Sequence, residues 1–293
     1  MKKLIHLQKS FGSHWVGDGF PVRTIFTYND LAHQISPFLL MDYAGPAEFK
    51  PTNSRLGVDE HPHRGFETIT IVYSGEVEHR DSAGGGGLIK AGDVQWMTAA
   101  SGLVHEEKHG REFAKNGGTF EMIQLWVNLP KKNKMDQPRY QGINSQQIPV
   151  VELPYQNGSV RVIAGDYLKH RGPAQTFSPI NLLDIRLNEK AALNISVIPG
   201  YTTTFFVLSG KVQLENSEII REAELAVLDN EGDSFNISAL ESSKILVLTG
   251  QPLNEPIVGY GPFVMSNQAE IKQAFIDFEE GKMGQIKASV LSS

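Results

Sequence analysis

The sequence predicts an all-β protein made of two small antiparallel barrels, and three observations point to it. Its 293 residues correspond to about two domains at roughly 150 residues apiece. Short runs of β-branched and aromatic residues, broken by Gly, Asp, Asn and Pro, recur at Thr68 to Tyr73, Asp93 to Thr98, Thr119 to Val127, Ile180 to Leu187, Thr203 to Leu208 and Lys244 to Thr249. This is the spacing of strands in sandwiches and barrels. The third observation is an internal repeat. Tyr73-Ser74-Gly75-Glu76 and Leu208-Ser209-Gly210-Lys211 both set Ser-Gly between strand-like runs, as a tight turn with positive φ at the glycine requires. The shift from Gly75 to Gly210, 135 residues, also superimposes Gly65-Phe66-Glu67-Thr68 on Gly200-Tyr201-Thr202-Thr203.

In chain order, one barrel is expected over residues 1–135, a connection over 136–158 and a second barrel over 159–293. The stretch from Pro130 to Ser159 is rich in Pro, Gln, Asn and Lys with little periodicity, which suits a connection, and Lys131, Lys132 and Lys134 read as a solvated loop. Near the end, Asn267 and Glu270 form a capping pair, and Ile271, Ala274, Phe275 and Phe278 fall at helical spacing before Gly281. One amphipathic helix packed on a barrel is expected there.

Composition excludes several functions. The 27 basic and 33 acidic residues leave a net charge of −6 spread along the chain, which argues against direct nucleic-acid binding through phosphate contacts. There is no cysteine, so no disulfide, thiolate metal site or cysteine nucleophile exists, and any metal must be held by His, Asp or Glu. The apolar run behind Met1 is too short for a signal peptide, and no 18 apolar residues run together, so the chain reads as cytoplasmic with no membrane span.

The chemistry centres on His61-Pro62-His63. Residues two apart share a strand face, so both imidazoles would point together into a barrel lumen, with Pro62 tolerable near a strand start or edge. His105 and Glu107 repeat that spacing. Three neutral imidazoles and a carboxylate suit one divalent transition metal, hard enough for iron and able to accept nickel, copper, manganese or zinc.

The runs His61-Pro62-His63-Arg64-Gly65-Phe66-Glu67-Thr68, Gly92-Asp93-Val94-Gln95-Trp96-Met97-Thr98-Ala99 and Ser101-Gly102-Leu103-Val104-His105-Glu106-Glu107 closely resemble the pirin family of the cupin superfamily. Gln124-Leu125-Trp126-Val127-Asn128 and Gly261-Pro262-Phe263-Val264-Met265 extend the likeness over nearly the whole chain. The resemblance implies a bicupin of two jelly-roll barrels with a C-terminal helix. It also implies a single metal in the first barrel, held by His61, His63, His105 and Glu107, with iron as the usual ion. The general cupin pattern would instead nominate Glu67 as the carboxylate ligand. The pirin likeness favours Glu107 and leaves Glu67, Phe66 and Arg64 as residues behind the ligands or lining the pocket. Glu106 is expected at the surface, pointing away from the metal.

At the 135-residue shift His61 and His63 become Ser196 and Ile198, and no histidine follows His170, so the second barrel is not expected to hold a metal. His6, His14, His33, His79, His109 and His170 read as surface or structural residues, Trp96 as non-catalytic, and Gly84 to Gly87 as a hairpin loop rather than a phosphate loop.

Two functions are carried forward. In the first, the chain is a dioxygenase of the quercetin 2,3-dioxygenase kind, taking a small planar flavonol, enol or phenol together with O2, with Glu107, or alternatively Glu67, removing the substrate hydroxyl proton. In the second, resembling mammalian pirin, it is a metal- or redox-sensing regulatory protein acting through a protein partner. A monomer is the default expectation.

Overall fold

Antiparallel strand pairs make up most of the chain, whose computed structural model describes residues 1–10, 12–215 and 218–287. The run Ile180–Leu187 is a strand as expected, the run from Asp93 forms the strand Val94–Thr98, one residue shorter, and the other expected strands lie inside longer ones: Phe66–Ser74, Gly118–Asn128, Thr202–Leu214 and Ser234–Gly250.

The chain forms two compact units, neither contiguous in sequence. One gathers Met1–Gly12, Thr24–Met41 and Ser145–Asn254; the other gathers Ser13–Arg23, Asp42–Asn144 and the chain from Glu255 onward. The C-terminal helix, expected with the second barrel, therefore belongs to the unit that carries the histidine motifs. Apolar contact explains this: Phe263, Met265, Ile271, Ala274 and Met283 share one buried cluster with Val104. The helix Gln268–Glu279 starts as its capping pair predicts, with the Asn267 side chain accepting from the Glu270 backbone N–H at 2.9 Å.

In the histidine-bearing unit, a four-stranded sheet runs in the order Gly57–His63, Leu103–His109, Glu76–Asp81, Gly86–Lys90. Strands Arg139–Ile143, Val94–Thr98, Phe66–Ser74 and Gly118–Asn128 lie side by side in a larger sheet. Val77 and Ile89 of the first sheet and Val72, Phe120 and Met122 of the second meet in one apolar cluster with Phe20 and Phe113. That cluster closes part of the interior, and polar side chains occupy the rest.

The other unit keeps the repeat in its backbone around a different core. Gly65 and Gly200 have φ of 92° and 83°, and Gly75 and Gly210 have 83° and 85°, so each turn recurs in the conformation that favours glycine. Its interior is apolar, built on Phe205, Val207, Val212, Leu214, Phe235 and Ile237, with Phe205 and Phe235 stacked at 5.7 Å.

Lys134 departs from its expected place in a solvated loop. It is fully buried, and its Nζ donates to the Gly65 carbonyl at 2.7 Å, Asn128 Oδ1 at 2.6 Å and the Val264 carbonyl at 3.0 Å. All three ammonium donors are used, which is the condition for burying a lysine. Lys134→Met strands three acceptors and is expected to cost about 3 kcal/mol or more in urea unfolding, while the exposed Lys132→Ala changes stability by less than about 0.5 kcal/mol. Equal midpoints for the two variants would contradict this.

Candidate metal centre

Strand register assembles the site. Antiparallel pairing of Gly57–His63 with Leu103–His109 sets His61 opposite His105, and a slip between His105 and Glu107 then sets Glu107 opposite Val58. Bulges of this kind re-aim side chains beside functional sites. On its other side the same strand pairs His105 with Asp81 and Glu107 with His79. Pro62 costs little because Gly57–His63 is the edge strand of its sheet. The ring centroids stand 4.9 Å apart for His61 and His63, 4.2 Å for His61 and His105, and 4.9 Å for His63 and His105. One nitrogen from each ring falls within 4.8 Å of the other two.

The outer hydrogen bonds fix which nitrogens are free. His61 Nδ1 donates to the Asp59 carbonyl at 2.7 Å and His63 Nδ1 donates to the Pro262 carbonyl at 3.2 Å, leaving both Nε2 atoms as lone-pair donors. His105 Nε2 is buried with no hydrogen-bond partner. Burial, reinforced by the neighbouring imidazoles, holds His63 and His105 well below the usual histidine pKa, so both are neutral at pH 7. Bare, neutral imidazole nitrogens converging within bonding reach of one point are what a borderline divalent cation requires, and a buried unpartnered nitrogen is costly without one. The residues fit a metal.

Glu107 is held in a polar cradle. Its Oε1 accepts from Gln95 Nε2 at 3.1 Å and lies 3.0 Å from Thr70 Oγ1, and its Oε2 accepts from Gln124 Nε2 at 2.8 Å. Its carboxylate groups with His105 and His79, all within 4.8 Å, while the triad of His61, His63 and His105 forms its own group. Glu107, His61 and His63 nonetheless line one cavity of about 260 Å³. Val16, Phe20, Val22, Val58 and Met122 form its apolar wall, and Asp42, Gln124 and Trp126 complete it.

Other expected neighbours lie elsewhere. Glu67 pairs in register with Thr98 on the face of its strand opposite Thr70, so alternation turns it away from the histidines. It accepts from Thr98 Oγ1 at 2.7 Å, with Arg139 4.0 Å away. Arg64 does not enter the cavity: its Nε donates to the Ser101 carbonyl at 2.6 Å, and its Nη1 pairs with Asp277 of the C-terminal helix at 2.8 Å. Phe66 does support the site, stacked on Trp126 at 4.2 Å and 5.1 Å from the His63 ring. Glu106 points away as expected but is buried rather than at the surface, paired with Arg80.

The residue sequence reasoning missed is His79. It is fully buried, with Nδ1 3.3 Å from His105 Nδ1, Nε2 3.2 Å from Asp81 Oδ2, and its ring stacked on Tyr140 at 5.1 Å. The alternation Val77-x-His79-x-Asp81, all three buried, was the available signal. His109 is structural: its Nε2 donates to the Gly19 carbonyl at 2.9 Å within an aromatic cluster.

Burial raises the Glu67 carboxyl from 4.5 to about 7, against the hydrogen bond from Thr98. The folded group holds its proton more tightly than the unfolded one, so its contribution to stability is complete below about pH 4.5 and is lost as pH rises through 7. Glu67→Gln is therefore expected to match the parent near pH 5 and exceed it at pH 8 by on the order of 1–3 kcal/mol, read by thermal unfolding of the metal-free protein. An advantage that grows toward low pH would contradict the assignment.

Two jelly-roll units, one with a histidine-lined interior and one packed with apolar side chains, define a bicupin. The Pirin family model matches residues 19–127, and the Pirin C-terminal cupin domain model matches residues 182–284. The chain belongs to the pirin family. It is 54% identical over 282 residues to a Pseudomonas aeruginosa protein provisionally named quercetin 2,3-dioxygenase PA2418, covering 96% of this chain and 98% of that one. Human Pirin is 36% identical over 266 residues, covering 88% and 87% of the respective chains. The crystal structure of quercetin 2,3-dioxygenase from Acinetobacter baumannii superimposes with a TM-score of 0.96 at 52% identity, over 98% of this chain and 100% of that one. Among the described residues no helix is long and apolar enough to cross a membrane.

Proposed function

We propose that this chain is a metal-dependent oxidoreductase of the quercetin 2,3-dioxygenase type, which opens a flavonol or a similar enol or phenol with O2. The observation that carries it is the bare, buried His105 Nε2 beside His61 and His63, at a cavity whose remaining wall is largely apolar. The similarity to the Acinetobacter quercetin 2,3-dioxygenase and the Pseudomonas relative supports the same reading. His61, His63 and His105 would hold one divalent ion, with Glu107 as fourth ligand. Fe(II) is the first choice, and the same donors accept nickel, copper, manganese or zinc. When bound, the ion would supply a Lewis acid for the substrate oxygen and a meeting place for dioxygen.

The rest is done by side chains. Phe20, Val22, Met122 and Trp126 offer flat apolar surface to a planar ring and exclude water from it. Glu107, oriented by Gln95, Gln124 and Thr70, would take the proton of the flavonol 3-hydroxyl. Ring opening of the resulting anion with one O2 yields an ester and one carbon monoxide, which accounts for every atom.

His63→Ala is expected to lose most of its bound metal, read by mass spectrometry, and to keep the parent's circular dichroism, because the site is added to a packed barrel rather than needed by it. Unfolding under conditions where the parent stays folded would contradict this. Iron-loaded parent is expected to consume O2 and release carbon monoxide with quercetin, and Glu107→Gln to lower turnover by about 10²–10⁴-fold. No carbon monoxide from any reconstituted metal form would overturn the reading.

A further inference from the structure

The contact between His79 and His105 joins two nitrogens, Nδ1 to Nδ1 at 3.3 Å, so one ring must donate and the other accept. The partners further out decide which. His79 Nε2 lies 3.2 Å from Asp81 Oδ2, and that carboxylate's other oxygen already accepts from the Ala83 and Gly85 backbone N–H groups at 2.9 and 2.8 Å. Asp81 is thus anchored as an acceptor, and His79 must carry its proton on Nε2. Its Nδ1 is then a lone pair, which only His105 Nδ1–H can supply with a proton. His105 is left bare at Nε2, the buried nitrogen without a partner.

We propose that His79 is a positioning residue for the metal centre: the chain Asp81, His79, His105 locks His105 in the tautomer whose Nε2 lone pair joins those of His61 and His63. His61 and His63 are locked by backbone carbonyls, and His105 alone is locked through a second imidazole. Tyr140, stacked on His79 with 13° between ring planes, keeps the intermediate ring in orientation. Hydrogen bonds behind a ligating histidine are worth about 10–100-fold in metal affinity. This rests on the metal reading above, and the tautomers can be measured without metal, so the two can fail separately.

The first test is a long-range ¹H–¹⁵N correlation spectrum of histidine side chains in ¹⁵N-labelled, metal-free protein. His105 should carry its proton on Nδ1 and His79 on Nε2; either proton on the opposite nitrogen overturns the proposal. The second test titrates cobalt(II) against a competing chelator. His79→Asn, whose amide oxygen can replace Nδ1 as acceptor, should bind within about threefold of the parent, and His79→Phe, which fills the space without an acceptor, about 10–100-fold more weakly. Equal affinity in both variants would reduce His79 to packing and overturn the proposal. So would two cobalt ions per chain, since the paired Nδ1 atoms would then be ligands. If His79→Phe does not fold, the spectrum and His79→Asn decide.

Discussion

The pairing of the edge strand Gly57–His63 with Leu103–His109 is the constraint on which the site depends. A one-residue slip in that ladder would turn every side chain to the other face and separate His61 from His105. The bulge between His105 and Glu107 is the single departure, and it lies where the edge strand presents the Asp59 carbonyl to His61. The late segment around Pro262 to Val264 adds a second brace. It gives His63 its carbonyl partner, and it runs so close to Gly65 that a Cβ there would sit 2.0 Å from the Val264 oxygen. Lys134 ties Gly65 and Val264 to Asn128 through its buried ammonium.

The repeated unit keeps the antiparallel fold around a different interior. At the 135-residue shift His61 falls on Ser196, which pairs with Ser234 across an antiparallel ladder as His61 pairs with His105. Phe205 and Phe235 stack in an interior that is otherwise aliphatic. Apolar burial there replaces the cost of keeping polar rings dry. The turn glycines, whose positive φ a larger residue would resist, are retained in both units.

Much of this was legible in the sequence, and the parts that were not share a cause. The His-x-His and His-x-Glu spacings mark residues on one strand face, and the Ser-Gly repeat marks the duplication, because both are local periodicities. Glu67, which the general cupin pattern brings toward the metal, lies by strand parity on the far face with Thr98. Lys134 read as a loop lysine because its acceptors come from Gly65, Asn128 and Val264, two of them far away in sequence. His79 looked isolated because His105 and Tyr140 reach it from other strands. The assignment of the C-terminal helix required the contacts of Val104 with Phe263 and Ile271, which no local pattern encodes.

The central claim is that the Nε2 atoms of His61, His63 and His105 converge on one cation. Anomalous diffraction at the absorption edge of the loaded metal, from crystals grown with iron(II) under anaerobic conditions, tests it most directly. One strong peak per chain about 2.1 Å from all three nitrogens is the predicted result. No peak there, or a peak bonded elsewhere, would contradict the account.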